Sequence, residues 1–483
     1  MRSATCLLQR HLSSARWQRP LSSCKKQLMS AICVDHGSYE NSRTTFTPLI
    51  AAVALAASAA AARETSCKCE EPAKKQKLVM AGDCGGTNTR LMLYAVDPSQ
   101  PVLEKQPPPG KLIKEVKYPN VLFKGLDKII DRFLQDECKC GTELPLPTVC
   151  VLAVAGVVAD NTVRYTNLDW VVSGYELQET LNIPKVEIIN DFVAQGYGAL
   201  TLNDKEVISV NSAEPVPGAP LCCIGAGTGL GECFLVPDGK DYYCYPSEGG
   251  HVEFAPRGAG NDELQIKLLK HLKVKFSGWN RISVERVVSG KGICNVYEFL
   301  AYNYPNEIDP KVHAAFREDP ENAGIIAKNN KPGTLCEKTM QMFASCYGAQ
   351  VGAMALHFMP FKGIYITGGV TQKSLKFLQE DSSFMEAYLD KGRVSPLLNR
   401  VPLFFVKSDD MGQRGAHYRA VQLLKQVGQG RSKLIRHSRH LTAEDLPPPK
   451  TIDKSGDIWK VLAEFNEKDQ AAMLEDELNW VRH

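Results

Sequence analysis

The chain has no apolar run long enough to cross a membrane as a helix. Its one alanine-rich apolar stretch, Leu49–Ala62, is shorter than the ~20 residues a span requires. It reads as the second half of a bipartite signal, a weak anchor or a helical stalk. Excess charge is equally scarce: 57 Lys and Arg stand against 54 Asp and Glu, a formal +3 over 483 residues. That balance excludes an extended nucleic-acid-binding surface. Acids are missing altogether before Asp35, while Arg2, Arg10, Arg16, Arg19, Lys25 and Lys26 lie among serines. Such a leader has the composition of a transit peptide for a mitochondrion or plastid; the alternative is a cytoplasmic chain, with or without an anchor at an organelle surface.

Common nucleotide and metal signatures are missing too. No Gly-x-x-x-x-Gly-Lys-[Ser/Thr] run occurs, which excludes a P-loop. Gly225, Gly227 and Gly229 approach a dinucleotide fingerprint, but Leu230 stands at its third glycine and a strand follows where that motif needs a helix. The sixteen cysteines are scattered irregularly, and Cys222, Cys223 and Cys294 fall inside apolar runs. Free thiols in a reducing compartment follow, rather than a disulfide framework. The pairs Cys67/Cys69 and Cys138/Cys140 lack a second pair at zinc-ribbon spacing.

What the chain does have is a pair of glycine-rich turns, each between two apolar strands: KLVMAGDCGGTNTRLMLYAV from Lys77 and LCCIGAGTGLGECFLV from Leu221. Without a Cβ, such turns let backbone N–H groups approach anionic oxygens, and two of them can hold one polyphosphate from opposite sides. Asp83 sits beside Gly85, Gly86 and Thr87, where a carboxylate can hold a hydrated Mg²⁺. Thr228 offers a hydroxyl at the second turn. Asn190-Asp191 ends a β-branched strand just before helical spacing resumes, which places Asp191 at the mouth of an α/β crevice. A carboxylate there can orient a hydroxyl nucleophile and accept its proton during phosphoryl transfer. Glu248 and His251 in PSEGGHVEFAPR, and Glu285 in SVERVVSG, add acceptors suited to the vicinal hydroxyls of a sugar.

The length favours two lobes plus extensions. Residues 1–76 read as targeting segment, apolar stretch and linker, 77–191 as a small α/β lobe, and 192–414 as a large α/β lobe. Residues 415–426 read as a helix returning to the small lobe, and 427–483 as a C-terminal extension. Within these, the spacing predicts strands over Thr148–Val154 and Val186–Ile189, and helices over Gly125–Phe133, Val284–Val288 and Gly415–Leu424. Thr371 is expected to cap a helix running through Leu378. The amphipathic stretch Ile458–Val481 suits either docking on the chain itself or a partner.

Six motifs in this order, GDCGGTNTR, EIINDF, GAGTGLG, EGGHVEFAP, VERVVSG and ITGG, resemble the bacterial-type glucokinases of the actin and hexokinase superfamily, from about Val79 to Leu424. The resemblance implies a two-lobed actin/hexokinase-like (ribonuclease H-like) ATPase fold with a central cleft. It also implies ATP-dependent phosphorylation of the glucose 6-hydroxyl with Mg²⁺. By motif position, Asn190, Asp191, Glu248, His251 and Glu285 would grip glucose, with Asp191 the base. Gly82, Asp83, Cys84, Gly85, Gly86 and Thr87 would line the nucleotide from one lobe. Thr228, Gly229, Gly368 and Gly369 would line it from the other. One departure is Val157, where many relatives carry proline after the glycine of AVAGVV, and a less rigid loop over the sugar is expected. The related ROK sugar kinases carry a Cys-rich zinc motif after Glu-x-Gly-His, whereas no cysteine lies between His251 and Cys294. A homodimer is an open reading, as is weak membrane association through Leu49–Ala62.

Overall fold

A computed structural model of the chain describes residues 76–136, 144–165, 168–239, 241–258, 263–276 and 281–430. The basic leader, Leu49–Ala62, the pairs Cys67/Cys69 and Cys138/Cys140, and Ile458–Val481 lie outside the described residues. No helix among the described residues is long and apolar enough to cross a membrane.

The first sheet has five strands in the order β3-β2-β1-β4-β8. These are β1 (Lys77–Cys84), β2 (Asn88–Val96), β3 (Lys111–Pro119), β4 (Val149–Val154) and β8 (Lys185–Asn190); β5 (Val158–Ala159), β6 (Thr162–Arg164) and β7 (Val171–Ser173) form a small separate sheet. β1 to β3 make an antiparallel meander, and β4 and β8 then add in parallel. Because side chains alternate along a strand, β1 serves two cores at once. Leu78, Met80 and Cys84 pack with helix α1 (Leu126–Leu134), while Val79 and Ala81 face the opposite core.

The second sheet has six strands in the order β12-β11-β10-β13-β14-β9. They are β9 (Val207–Ser209), β10 (Leu221–Ala226), β11 (Leu230–Asp238), β12 (Asp241–Ser247), β13 (Gly363–Thr367) and β14 (Leu403–Val406). Again a three-stranded antiparallel meander is followed by two parallel strands. The sheets therefore repeat one plan, and in each the first turn of the meander is a glycine turn.

Helices α2 (Asp191–Ala199), α3 (Gly290–Asn303), α4 (Leu335–Phe358) and α5 (Met411–Gly428) complete the frame that matters for the site. Val193, Ala194 and Tyr197 of α2 and Ala416, Ala420 and Val421 of α5 share one core with residues of both sheets. The two helices cross in backbone contact. A Cβ on Gly415 would lie 1.7 Å from the Ala194 carbonyl oxygen, and one on Gly198 would lie 2.2 Å from that of Met411.

Several expected elements differ. Thr371 caps nothing: it is fully buried inside the short helix Gly369–Lys373, its hydroxyl 3.1 Å from that of Tyr347, and Gly368 is the N-cap. A second helix, Leu375–Glu380, then takes the stretch through Leu378. The tight link from β13 needs φ of +97° at its first residue, which only Gly368 adopts freely. Over Val284–Val288 only a 3₁₀ turn forms, Val284–Arg286. The last helix begins at Met411 rather than Gly415 and runs to Gly428.

Candidate active site

The first turn is closed by a hydrogen bond from Gly85 N–H to the Asn88 carbonyl, 3.0 Å. Gly85 and Gly86 are half-buried and Thr87 is exposed. Asp83 shares the strand face of Val79 and Ala81, toward α5, and there the Gln413 amide hydrogen-bonds its carboxylate. Burial raises the Asp83 carboxyl, against the opposing pull of Gln413, Arg90 and Lys117. Gly82 and Cys84 belong to the other face. A Cβ on Gly82 would meet Leu152 at 2.7 Å, and the Cys84 thiol is buried in the α1 core. Only their backbone is left to meet a nucleotide.

β1, β4 and β8 run in parallel register, Cys84 opposite Val154 and Val154 opposite Asn190. Their carboxyl ends thus line one edge, where ligands of open α/β sheets bind. Asn190 caps α2 by accepting from Phe192 N–H at 2.8 Å and Val193 N–H at 3.2 Å, and its amide donates to the Gly156 carbonyl at 3.0 Å. That holds the loop of AVAGVV onto the helix start. Asp191 follows at once. Burial, then the negative charges of Asp83 and Glu248, push its carboxyl up to about 6.

The second turn joins β10 to β11, with Gly227 N–H donating to Gly229 O at 2.8 Å and Thr228 exposed at its tip. The ring of Phe192, next to Asp191, lies across both strands. A Cβ would fall 2.9 Å from it at Gly225 and 2.0 Å from it at Gly231. Gly368 sits against the end of β10, where a Cβ would lie 2.3 Å from Ala226 O; Gly369 is exposed, with open space around it.

Glu248 and His251 flank the two glycines that follow β12, and both glycines have steric causes. The Glu232 carboxylate occupies the space of a Gly249 Cβ, 1.9 Å away, and the Leu230 carbonyl that of a Gly250 Cβ, 2.0 Å away. A bridge between Glu253 and Ser283, with 2.8 Å bonds from Phe254 N–H to Ile282 O and from Val284 N–H to Val252 O, then brings Glu285 alongside. His251 Nε2 is 3.8 Å from Glu248 Oε2. Although its tip reaches solvent, protein packed around Glu248 raises its carboxyl; His251 lowers it and Glu285 adds to the rise. Glu285 Oε2 accepts from Leu230 N–H at 3.0 Å, so this carboxylate braces the second turn as well as facing Glu248.

Asp83 on β1, Asp191 at the start of α2, Glu248 just after β12 and Glu285 in the turn Val284–Arg286 thus influence one another electrostatically. Sequence reading missed Gln413 on Asp83, Glu232 and Gln350 behind Gly249, and Asn120 behind the first turn. Nothing local marks them, since each acts on a segment remote in sequence. Among the described residues no three His, Cys, Asp or Glu converge as a metal cluster. A single carboxylate beside a glycine turn would suit a Mg²⁺ that keeps most of its shell as water.

The family model described as Glucokinase matches residues 80–423. The glucokinase of Nostoc punctiforme is 37% identical over 358 residues, covering 72% of this chain and 99% of that one. A glucokinase structure from an Antarctic psychrotroph aligns with a TM-score of 0.57 at 25% identity, over 72% of this chain and 99% of that one. The Balamuthia mandrillaris glucokinase, solved in complex with glucose, shares the fold with a TM-score of 0.56 at 21% identity, over 72% and 94%. The repeated sheet plan and these likenesses identify the two-lobed actin-like ATPase fold.

Proposed function

Because this chain belongs to the glucokinase family, we propose that it transfers the terminal phosphoryl group of ATP to the 6-hydroxyl of D-glucose, giving glucose 6-phosphate and ADP. The observation that carries the site assignment is Asp191, a buried carboxylate at the start of α2 raised to about 6, with the charges of Asp83 and Glu248 adding to the rise. As O6 attacks the terminal phosphorus, Asp191 accepts the O6 proton, the O6–P bond forms, and the bond to the bridging oxygen breaks to release ADP.

Glu248, His251 and Glu285 accept and donate hydrogen bonds to the sugar hydroxyls, and the remaining N–H of the Asn190 amide adds another. The backbone of Gly85, Gly86 and Thr87 meets the phosphates, opposite Thr228 and Gly229. Gly369, exposed and uncrowded, leaves room for adenosine at the end of β13. Asp83 would hold Mg²⁺ through water, and the ion would supply positive charge to the leaving phosphate oxygens.

The full chain assayed for ADP release across a panel of hexoses and phosphoryl donors tests the assignment. Glucose with ATP is the expected best pair; turnover with neither ATP nor any hexose overturns it. Residues 1–76 are proposed as the segment that directs the protein to a mitochondrion or plastid. A fluorescent fusion to those residues that stays diffuse in the cytosol would remove that reading. A homodimer is proposed in turn, and a monomer mass by light scattering at assay concentration would remove it.

A further inference from the structure

The short turn after β3 inverts the usual burial rule. It sinks its one polar residue, Asn120, to 1% exposure while leaving Val121 88% and Leu122 56% exposed. Burying an amide and exposing two aliphatic side chains is unfavourable unless the amide is used. Apart from its carbonyl, which accepts from Phe123 N–H at 3.0 Å within its own turn, the polar groups of Asn120 all go to the first glycine turn and the residue just after it. Its Nδ2 donates to the Gly85 carbonyl at 2.7 Å, and its backbone N–H donates to the Thr87 carbonyl at 2.9 Å. Its Oδ1 accepts from the Thr89 hydroxyl at 2.8 Å, and Thr89 is fully buried.

The consequence lies in the peptide plane. In a trans peptide, C=O and N–H point in opposite directions, so anchoring the Gly85 carbonyl on Asn120 aims the Gly86 N–H away from it. Gly85 and Gly86 have the widest choice of backbone angles of any residues, and a turn built from them would otherwise sample many orientations of that N–H. We propose that Asn120 is a positioning residue for phosphoryl transfer, locking Gly85–Thr87 in the conformation whose backbone N–H groups receive the nucleotide phosphates. This rests on reading that turn as the phosphate site. Asn120 touches no substrate and acts only through the turn.

The test uses the full chain and separates nucleotide from sugar. In Asn120→Ala, KM for ATP and the dissociation constant for ADP by calorimetry should both rise about tenfold or more, the usual consequence of losing two buried hydrogen bonds. Glucose binding, measured on the same sample, should stay within about twofold, because Glu248 and His251 follow β12 of the other sheet and Glu285 lies in the 3₁₀ turn Val284–Arg286, none of them in contact with Asn120. Asn120→Asp keeps the acceptor for Thr89 but cannot donate to Gly85, and should lose nucleotide affinity as the alanine variant does. Thr89→Val, which removes the bond that steadies Asn120 together with the hydroxyl's hydrogen bond to the Cys84 thiol, should shift ADP affinity the same way by a smaller factor, and it carries the test should Asn120→Ala not fold. Equal weakening of sugar and nucleotide, or unchanged ADP affinity in these variants, overturns the inference while leaving the turn as the phosphate site. Failure of the unmodified chain to bind ADP overturns both.

Discussion

Arg419 and Glu187 meet through two hydrogen bonds of 3.0 Å, Nε to Oε2 and a terminal nitrogen to Oε1, with the guanidinium wholly out of water. The pair ties α5 to β8, the strand that ends in Asn190 and leads into Asp191. Gln422 accepts from the remaining arm at 2.6 Å. In Arg419→Met, Glu187 would be left buried without its cation, and stability should fall by about 3–5 kcal/mol. Urea denaturation measures it. A second change, Glu187→Leu, in the same chain should restore much of the loss, since an apolar pair replaces a desolvated one; a loss under ~1 kcal/mol in the single variant would remove the pair from this role.

Asp191 must be ionised to accept a proton, and its carboxyl is raised to about 6. The limiting kcat/KM for glucose should therefore be flat above neutrality and drop roughly tenfold per pH unit once the pH is well below 6. Asp191→Ala should lower kcat by about 10²–10⁴-fold while glucose still binds at least weakly. Near-normal turnover in that variant would take the proton-accepting role away from Asp191.

Gly231 has no room for a methyl group, because Phe192 already fills that space at 2.0 Å. Gly231→Ala should push the Phe192 ring and, through one peptide, Asp191. A stability loss of about 1–3 kcal/mol is expected from overpacking, together with a fall in kcat. Gly428→Ala is the control: nothing lies within 4 Å of its added Cβ, and it should leave both quantities nearly unchanged. Equal behaviour of the two variants would show that contact with Phe192 is not tight.

Glu232 is 3% exposed, and burial raises its carboxyl to about 7, opposed by a 2.8 Å hydrogen bond from Gln350. A raised carboxyl favours the folded state while protonated. Its contribution is complete below the unfolded value near 4.5 and is lost as pH rises through about 7. Glu232→Gln keeps the shape without the charge. Its denaturation midpoint should gain on that of the unmodified chain between pH 5 and pH 8, by on the order of 1.4 kcal/mol per pH unit in the steep region. A gap of the same size at both pH values would show that the fold does not raise the Glu232 carboxyl.

The glycine turns were legible in the sequence because their cause is local. Each needs residues without a Cβ between two apolar strands, and both features stand next to each other in the chain. Asp83 and Asp191 were legible for a similar reason, being strand-end carboxylates. Asn120 was not: its contact with Gly85 spans 35 residues, and nothing beside it in the chain marks that partner. The expectation for Thr371 failed because a threonine before helical spacing resembles a cap, whereas the backbone had already turned at Gly368 and buried the hydroxyl against Tyr347.

Chemistry was written in the order of residues: which carboxylates, which glycines, which strands, and hence the family. Proximity was not, because strand pairing and helix crossing bring together groups far apart along the chain. Folding alone set Phe192 against Gly225 and Gly231, lent Gln413 to Asp83, and seated Glu285 on the Leu230 amide. The shift of Asp191 to about 6 also belongs to the folded molecule, since burial and the charges of Asp83 and Glu248 act through space.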